Sequence, residues 1–296
     1  MLFEPIYKPL HKINWPGLSQ NPNAIPILQK NMDKANLGYL SDNPSAIFLL
    51  KNILDKTQMY YLSKNPNAIH ILERNIHIID WIQLSSNPAA IHILEKNPDK
   101  IDWEMLSINR SAIHLLEKNV DKICWPYLSY NPAAIHLLEQ NMDKIHWENL
   151  SANPAAIYLL EKNVDKICWF GLSHNTAAIH ILEKNLDKID WTALSVNPNA
   201  IPILEKNLDK IHWYFLSENP NATSLLEQNL DKVSWYSIYK NPNAIHLAFE
   251  YEYDQMRENN REFARELAEC VFHPDRCVRF AKRAGMTGLE EYFELL

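Results

Sequence analysis

Six histidines stand at a common spacing: His70, His92, His114, His136, His180 and His246 are separated by 22 residues or multiples of it. An imidazole column could ligate metal, shuttle protons or sense pH. Neighbouring helix rows lie roughly 8–10 Å apart, too far for one metal whose ligand bonds are about 2 Å. Pro26, Phe48, Tyr158, Pro202 and Ser224 fill the same slot, so nothing there requires a titratable group. The column reads as a ladder on the surface. Cys270, His273 and Cys277 form C-x2-H-x3-C, with Asp275 inside the span. Zinc sites use four ligands and no convincing fourth is near, so this cluster reads as the core of a terminal cap with free thiols. His146 and His212 share a slot with Cys124, Cys168, Asp80, Asp102 and Asp190, an alternation expected where a partly exposed helix position tolerates small or polar groups. There is no Gly-rich phosphate loop, nucleophile elbow or HExxH. Asp and Glu recur in every unit at capping and surface positions, which is a structural role and not an acid–base pair. No catalytic residue, cofactor or metal is expected, and the chain does not read as an enzyme.

The elements that carry these residues are set by a strict repeat. Asparagine recurs every 22 residues from Asn21 to Asn241, followed by proline except at Arg110 and Thr176, and an alanine stands three residues after each. All nine tryptophans share one phase, from Trp15 to Trp235, with Leu37 and Met59 in the same slot. Such a period outweighs the domain prior from length. In residues 131–152, Asn131 and Pro132 mark a helix start. Ala134, Ile135, Leu137 and Leu138 then form an apolar arc about 160° wide on a helical wheel. Asn141 is expected to end this helix in a left-handed conformation. Asp143 is expected to cap a second, short helix, with Met142 and Trp147 as a hydrophobic staple. The apolar residues of that helix point two ways, so it should be sandwiched between units or be partly 3-10. The tryptophans are expected in the core.

The fold class follows: all-α, an α-solenoid of about eleven two-helix units over residues 21–247. A unit of this size cannot bury its own core, so stability comes from stacking on neighbours. At roughly 8–10 Å per row the array would be a rod or arc on the order of 100 Å long. Residues 1–20 carry half a unit preceded by Phe3, Ile6, Tyr7 and Leu10 as a lid, the N-terminal cap. Residues 248–296 read as a helical C-terminal cap: a long helix over 248–271, a break at His273-Pro274, and a capping box at Thr287 and Glu290.

Apolar residues make up 47% of the chain, enough for a sizeable core, and the net charge is -7. Phosphate backbones are bound by clustered Lys and Arg, so no nucleic-acid partner is expected. No stretch of about 18 apolar residues suggests a membrane span. The first residues lack the pattern of a signal peptide, and Cys124 and Cys168 lie two periods apart, too far to bridge. An intracellular, reducing setting is expected.

The Asn-Pro starts and short second helix resemble the leucine-rich repeat variant family, which implies alternating α and 3-10 helices in a superhelix. Units of the type NPNAIHILEKNLDKIDW, over about residues 12–247, are similar to tandem-repeat proteins of giant DNA viruses that infect amoebae and protists. Val271-Phe272-His273-Pro274-Asp275-Arg276 also resembles a short C-terminal motif of giant-virus proteins. The resemblance implies a viral source, with the protein in host cytoplasm or virion.

Function is left to positions that vary while the scaffold repeats: the two residues after the Trp slot and the residue after Leu-Ser. They include Tyr39, Tyr60, Tyr61, Tyr127, Tyr130, Phe170, His174, Tyr214, Phe215 and Tyr236. Aromatic residues at otherwise free positions are the composition of an interaction surface. The expectation is a protein-interaction scaffold engaging a host or virion protein. The alternatives are a structural virion component or assembly spacer, and a single-strand RNA reader with one base per unit.

Overall fold

A computed structural model describes residues 7–9, 12–50 and 56–251. The chain divides into a compact unit over His11–Ala248 and a second unit made of Met1–Leu10 and Phe249–Leu296. The first is the repeat array, and it is built from α-helices and 3-10 turns.

Residues 131–152 show how the repeat works. Asn131 is fully buried. Its Oδ1 accepts from the Ala133 amide at 3.0 Å, starting the turn, while Nδ2 donates to Ser107 O at 3.0 Å and Asn109 O at 3.2 Å in the preceding unit. Only a carboxamide supplies both an acceptor and two donors, so neither Asp nor Ser could serve. The same double donation recurs at Asn87, Asn109, Asn175, Asn197, Asn219 and Asn241. The Asn-Pro start leads through a tight turn, which in several units is a 3-10 helix such as Pro154–Ala156, into an α-helix that begins at the isoleucine, here Ile135–Glu139. Leu137 and Leu138 of that helix, and Ala134 at its N-cap, are buried.

The end of this helix differs from the sequence expectation. Asn141 has φ -137° and ψ 52°, outside the left-handed region. Its Nδ2 instead donates to Leu137 O at 2.9 Å. A side chain that reaches back to an orphaned carbonyl does the work a left-handed backbone would otherwise do. The second helix also starts later than Asp143. Met142–Lys144 is a 3-10 turn, and the α-helix is Trp147–Ser151 with His146 at its N-cap. Met142 is exposed, so there is no staple.

The Trp-slot helices contact their neighbours backbone to backbone in a series that runs from Trp15–Gln20 against Leu37–Asp42 to Trp191–Val196 against Trp213–Leu216. Helices of the other kind, such as Ile91–Lys96, make no comparable contact with one another. The Trp-slot helices are therefore the inner, concave row. Serine secures that row: Ser107 Oγ donates to Trp103 O at 2.7 Å and accepts from the Cys124 amide of the next unit at 3.0 Å.

The array is not an open rod. Trp15–Gln20 packs against Ile238–Lys240. Asn21 Nδ2 donates to Tyr239 O at 2.9 Å and Asn241 O at 3.0 Å, the double donation that joins most neighbouring units, offset by the length of the whole array. Asn23 Nδ2 reaches Pro242 O at 2.8 Å, and Asn14 Nδ2 reaches Tyr236 O at 2.9 Å. The small rotation between neighbours sums to a full circle over eleven units, about 33° each. The half unit at the start of the chain is thus the missing inner helix of the unit that begins at Asn241. Closure removes the exposed ends that an open array would have to cap.

In the second unit, β1 (Tyr7–Pro9) and β2 (Phe249–Tyr251) pair antiparallel, with Tyr7 opposite Tyr251. Residues 249–251 are therefore strand, where a helix beginning at 248 was expected. Phe3, Ile6 and Leu10 of the expected lid, and the remainder of the expected C-terminal cap, lie outside the described residues.

Candidate functional site: the inner face of the ring

Each inner element buries the residues that follow the Trp slot by three and four, Leu and Ser everywhere except Ile238 and Tyr239, with Leu128 and Ser129 as the example. These point to the outer row and to neighbouring units. On a wheel of 100° per residue the opposite side is formed by the first and second residues after the Trp slot and by the residue after Leu-Ser. The variable positions singled out in the sequence therefore line the concave surface.

Tyr236 is 60% exposed and Phe170 54%; Tyr39, Tyr60, Tyr130 and Tyr214 are also exposed. His174 is exposed, while Tyr61, Tyr127 and Phe215 are half-buried between neighbouring inner helices. Tyr60 and Tyr61 meet edge to face with ring centroids 5.2 Å apart, and Tyr39 lies 6.4 Å from Tyr61 across the unit boundary. Tyr214 and Phe215 pack at 5.3 Å, with His212 4.8 Å from Phe215. Phe170 meets His174 edge to face with ring centroids 4.9 Å apart. Such offset and edge-on pairs hold aromatic side chains in place before a partner arrives.

Closure joins two groups that are far apart in sequence. Tyr214, Phe215 and Tyr236 precede the seam, and Tyr39, Tyr60 and Tyr61 follow it, so all six fall within five consecutive units. Tyr127 and Tyr130 are on the opposite side of the circle.

Selecting for aromatic side chains missed the charged residues in the same slots. Lys64 Nζ is 3.1 Å from Asp42, and Lys240 Nζ is 2.9 Å from Glu218. Hydrogen bonding toward Glu104, and then the negative charge of that carboxylate, raise the Tyr127 phenol above its ordinary pKa of 10.0. Glu148 is exposed and no described cation pairs with it. Ile82, more than half exposed, was also passed over. All these positions could have been found by slot instead of by residue type.

The other residues considered for chemistry are accounted for by the scaffold. The histidine column lies on the outer row and forms a ladder: His92, His114, His136 and His180 each place Nε2 2.9 Å from a glutamate of the preceding unit, namely Glu73, Glu95, Glu117 and Glu161. The slot shared by Asp80, Asp102, Cys124, His146, Cys168, Asp190 and His212 is the N-cap of the inner helix. Asp80, Asp102 and Asp190 accept from an amide three residues on, whereas Cys124, Cys168 and His212 make no such bond.

The tryptophans are half-buried, not in the core. A lysine of the following unit covers the exposed ring face, as with Lys122 over Trp103 at 4.5 Å and Lys166 over Trp147 at 4.6 Å. An indole at a unit boundary can be part-exposed when a cation rests on its π face. Among the described residues no group of three His, Cys, Asp or Glu could hold a metal, and no helix is long and apolar enough to cross a membrane. Cys270, His273, Asp275 and Cys277 lie outside the described residues.

Comparison with protein-family models, with curated proteins and with solved structures gives no match.

Proposed function

We propose that the protein is a non-enzymatic interaction module whose concave face receives a segment of a protein partner. The observation that carries this reading is a division of labour by position. Asn, Ala, Leu and Ser recur where side chains are buried, and variation is concentrated where they face inward. Nine of the 33 variable residues there are Tyr or Phe, six of them exposed, and these are the types that anchor interfaces. The resemblance to giant-virus repeat proteins suggests a partner of the host cell or the virion.

Size narrows the partner. Eleven helices spaced roughly 8–10 Å apart, each about 10–12 Å across, leave a bore of about 16–25 Å. A single α-helix fits that width, whereas a domain of about 100 residues, with a radius of gyration near 13 Å, does not. The occupant is a helix or an extended segment. A spacer role gains nothing from this geometry, because a closed ring does not leave length free to vary. Phosphate backbones are poorly matched to a face that carries Glu104 and Glu148.

The test replaces Tyr127, Tyr130, Phe170 and Tyr214 together with serine and measures capture of partners from host lysate. Specific partners are expected to be lost while the fold and thermal midpoint are kept. Unchanged capture by a folded variant would remove the inner face from consideration.

A further inference from the structure

Resting on that reading, we infer that the occupant is a basic amphipathic helix, with its apolar side on the seam arc and its cationic side toward Glu104 and Glu148. Two features of the inner face, on opposite sides of the circle, lead to this assignment. The first is the seam arc of Tyr214, Phe215, Tyr236, Tyr39, Tyr60 and Tyr61. Its charges are internally neutralised, since Lys240 is bound to Glu218 and Lys64 to Asp42. An arc of π faces with balanced charge offers apolar contact.

The second feature lies across the bore, in the three consecutive units whose Trp slots are Trp103, Trp125 and Trp147. Glu104 and Glu148 stand in equivalent slots there, on either side of Tyr127 and Tyr130. Neither carboxylate has a described cationic partner; the Tyr127 phenol lies close enough to Glu104 to feel its charge, and the backbone beneath Glu148 is fixed by Asn149 Nδ2 donating to Pro126 O at 2.9 Å. Two carboxylates without a cation, flanking the half-buried Tyr127 and the exposed Tyr130, match Lys or Arg, whose ammonium or guanidinium takes the carboxylate while its stem or cation rests on a ring. The carboxylates lie two units apart, about 16–20 Å at the helix axes and less at the inner surface, so separate cations of one helix engage them. At the narrow end of that bore, a helix with its apolar face on the seam arc reaches the far carboxylates through extended Lys or Arg stems, a match that neither a uniformly basic nor a uniformly apolar segment makes.

The experiment uses the full chain and fluorescein-labelled amphipathic helical peptides of leucine with lysine, with glutamate, or with glutamine, read by anisotropy. The leucine–lysine peptide should bind, more weakly as salt rises, and the leucine–glutamate peptide should not. Glu104→Gln with Glu148→Gln should weaken binding about tenfold. Glu139→Gln with Glu183→Gln changes net charge equally on the outer row and should leave binding unchanged. Tyr60→Ser with Tyr236→Ser should also weaken binding. Equal loss from the inner and outer glutamate pairs would mean attraction by net charge alone and would overturn the inference. So would equal binding of the leucine–glutamine peptide, although if that binding still needed Tyr130 and Phe170 the interaction-module reading would stand. Binding by none of the three peptides would also overturn the inference, and capture from lysate would then decide the broader reading by itself.

Discussion

Replacing Asn21 with alanine distinguishes a closed ring from an open array. In an open array Asn21 would belong to the first unit, with no preceding unit to receive its amide donors. Only the cap to the Asn23 amide, 2.9 Å long, would be lost, costing about 1 kcal/mol. In the ring, Asn21 Nδ2 also serves Tyr239 O and Asn241 O in a buried site. Leaving two buried carbonyls without that donor adds about 1 kcal/mol or more each, for a total of about 3 kcal/mol. For an array of this size 1 kcal/mol moves the thermal midpoint by about 2–4 °C, so the expected drop is about 6–12 °C. Asn131→Ala, in the middle of the array, should fall by the same amount, because its bonds are equivalent. Asn21→Asp separates the contributions. The carboxylate keeps the cap acceptor but faces two carbonyls as a buried charge, and should destabilise at least as much as alanine. Thermal unfolding of the three variants, followed by circular dichroism, is the assay. If Asn21→Ala lost only about 2–4 °C while Asn131→Ala lost the larger amount, the ends would not meet and the closure argument would fail.

Three further outcomes are expected. An added Cβ at Gly171 would come within 2.8 Å of Glu148 O, a backbone atom, so Gly171→Ala should cost about 1–3 kcal/mol by forcing two inner helices apart, measured by urea denaturation. The His–Glu ladder is exposed, so His92→Ala should shift stability by less than about 1 kcal/mol, measured in the same way. Alkali should weaken the seam. Burial raises the phenol of Tyr239 above its ordinary 10.0. Burial opposes the charge on Lys240, but its hydrogen bond and charge pairing with Glu218 prevail and raise it above 10.5. Both groups hold their protons more tightly in the folded protein, so their contribution is intact below about pH 10 and is lost as pH climbs through the raised values. Tyr239→Phe should flatten part of that decline in midpoint when compared with the parent chain between about pH 9 and 11.

The period, the two elements per unit and the number of units were legible because each recurrent residue has a local reason to recur. Asn before Pro starts a turn, and Ala and Leu mark the buried side. What was not legible depends on sums over many units or on side chains reaching beyond their own unit. The rotation between neighbours is small and leaves no residue-level mark, yet accumulated over the array it decides between a rod and a ring. Two traces of closure were nevertheless present in the sequence. A half unit stands at each end of the array, 12–20 and 241–248, and the two halves make one whole. Tyr239 occupies the only Ser slot without serine, at the junction where Asn21 bonds to its carbonyl. The expected left-handed Asn141 failed for a comparable reason: its amide reaches Leu137 O, a bond that spacing alone does not reveal. For the candidate site, which positions were free to vary could be read from the repeat, but which way they faced could not. Direction followed only from the closer approach of the Trp-slot helices, and it changes what the variation means. On a convex surface, scattered tyrosines could serve several unrelated contacts. On the inside of a ring, Tyr39 and Tyr236, nearly the whole array apart in sequence, belong to one arc facing Tyr130 and Glu148, so substitutions at either end of the repeats act on the same occupant.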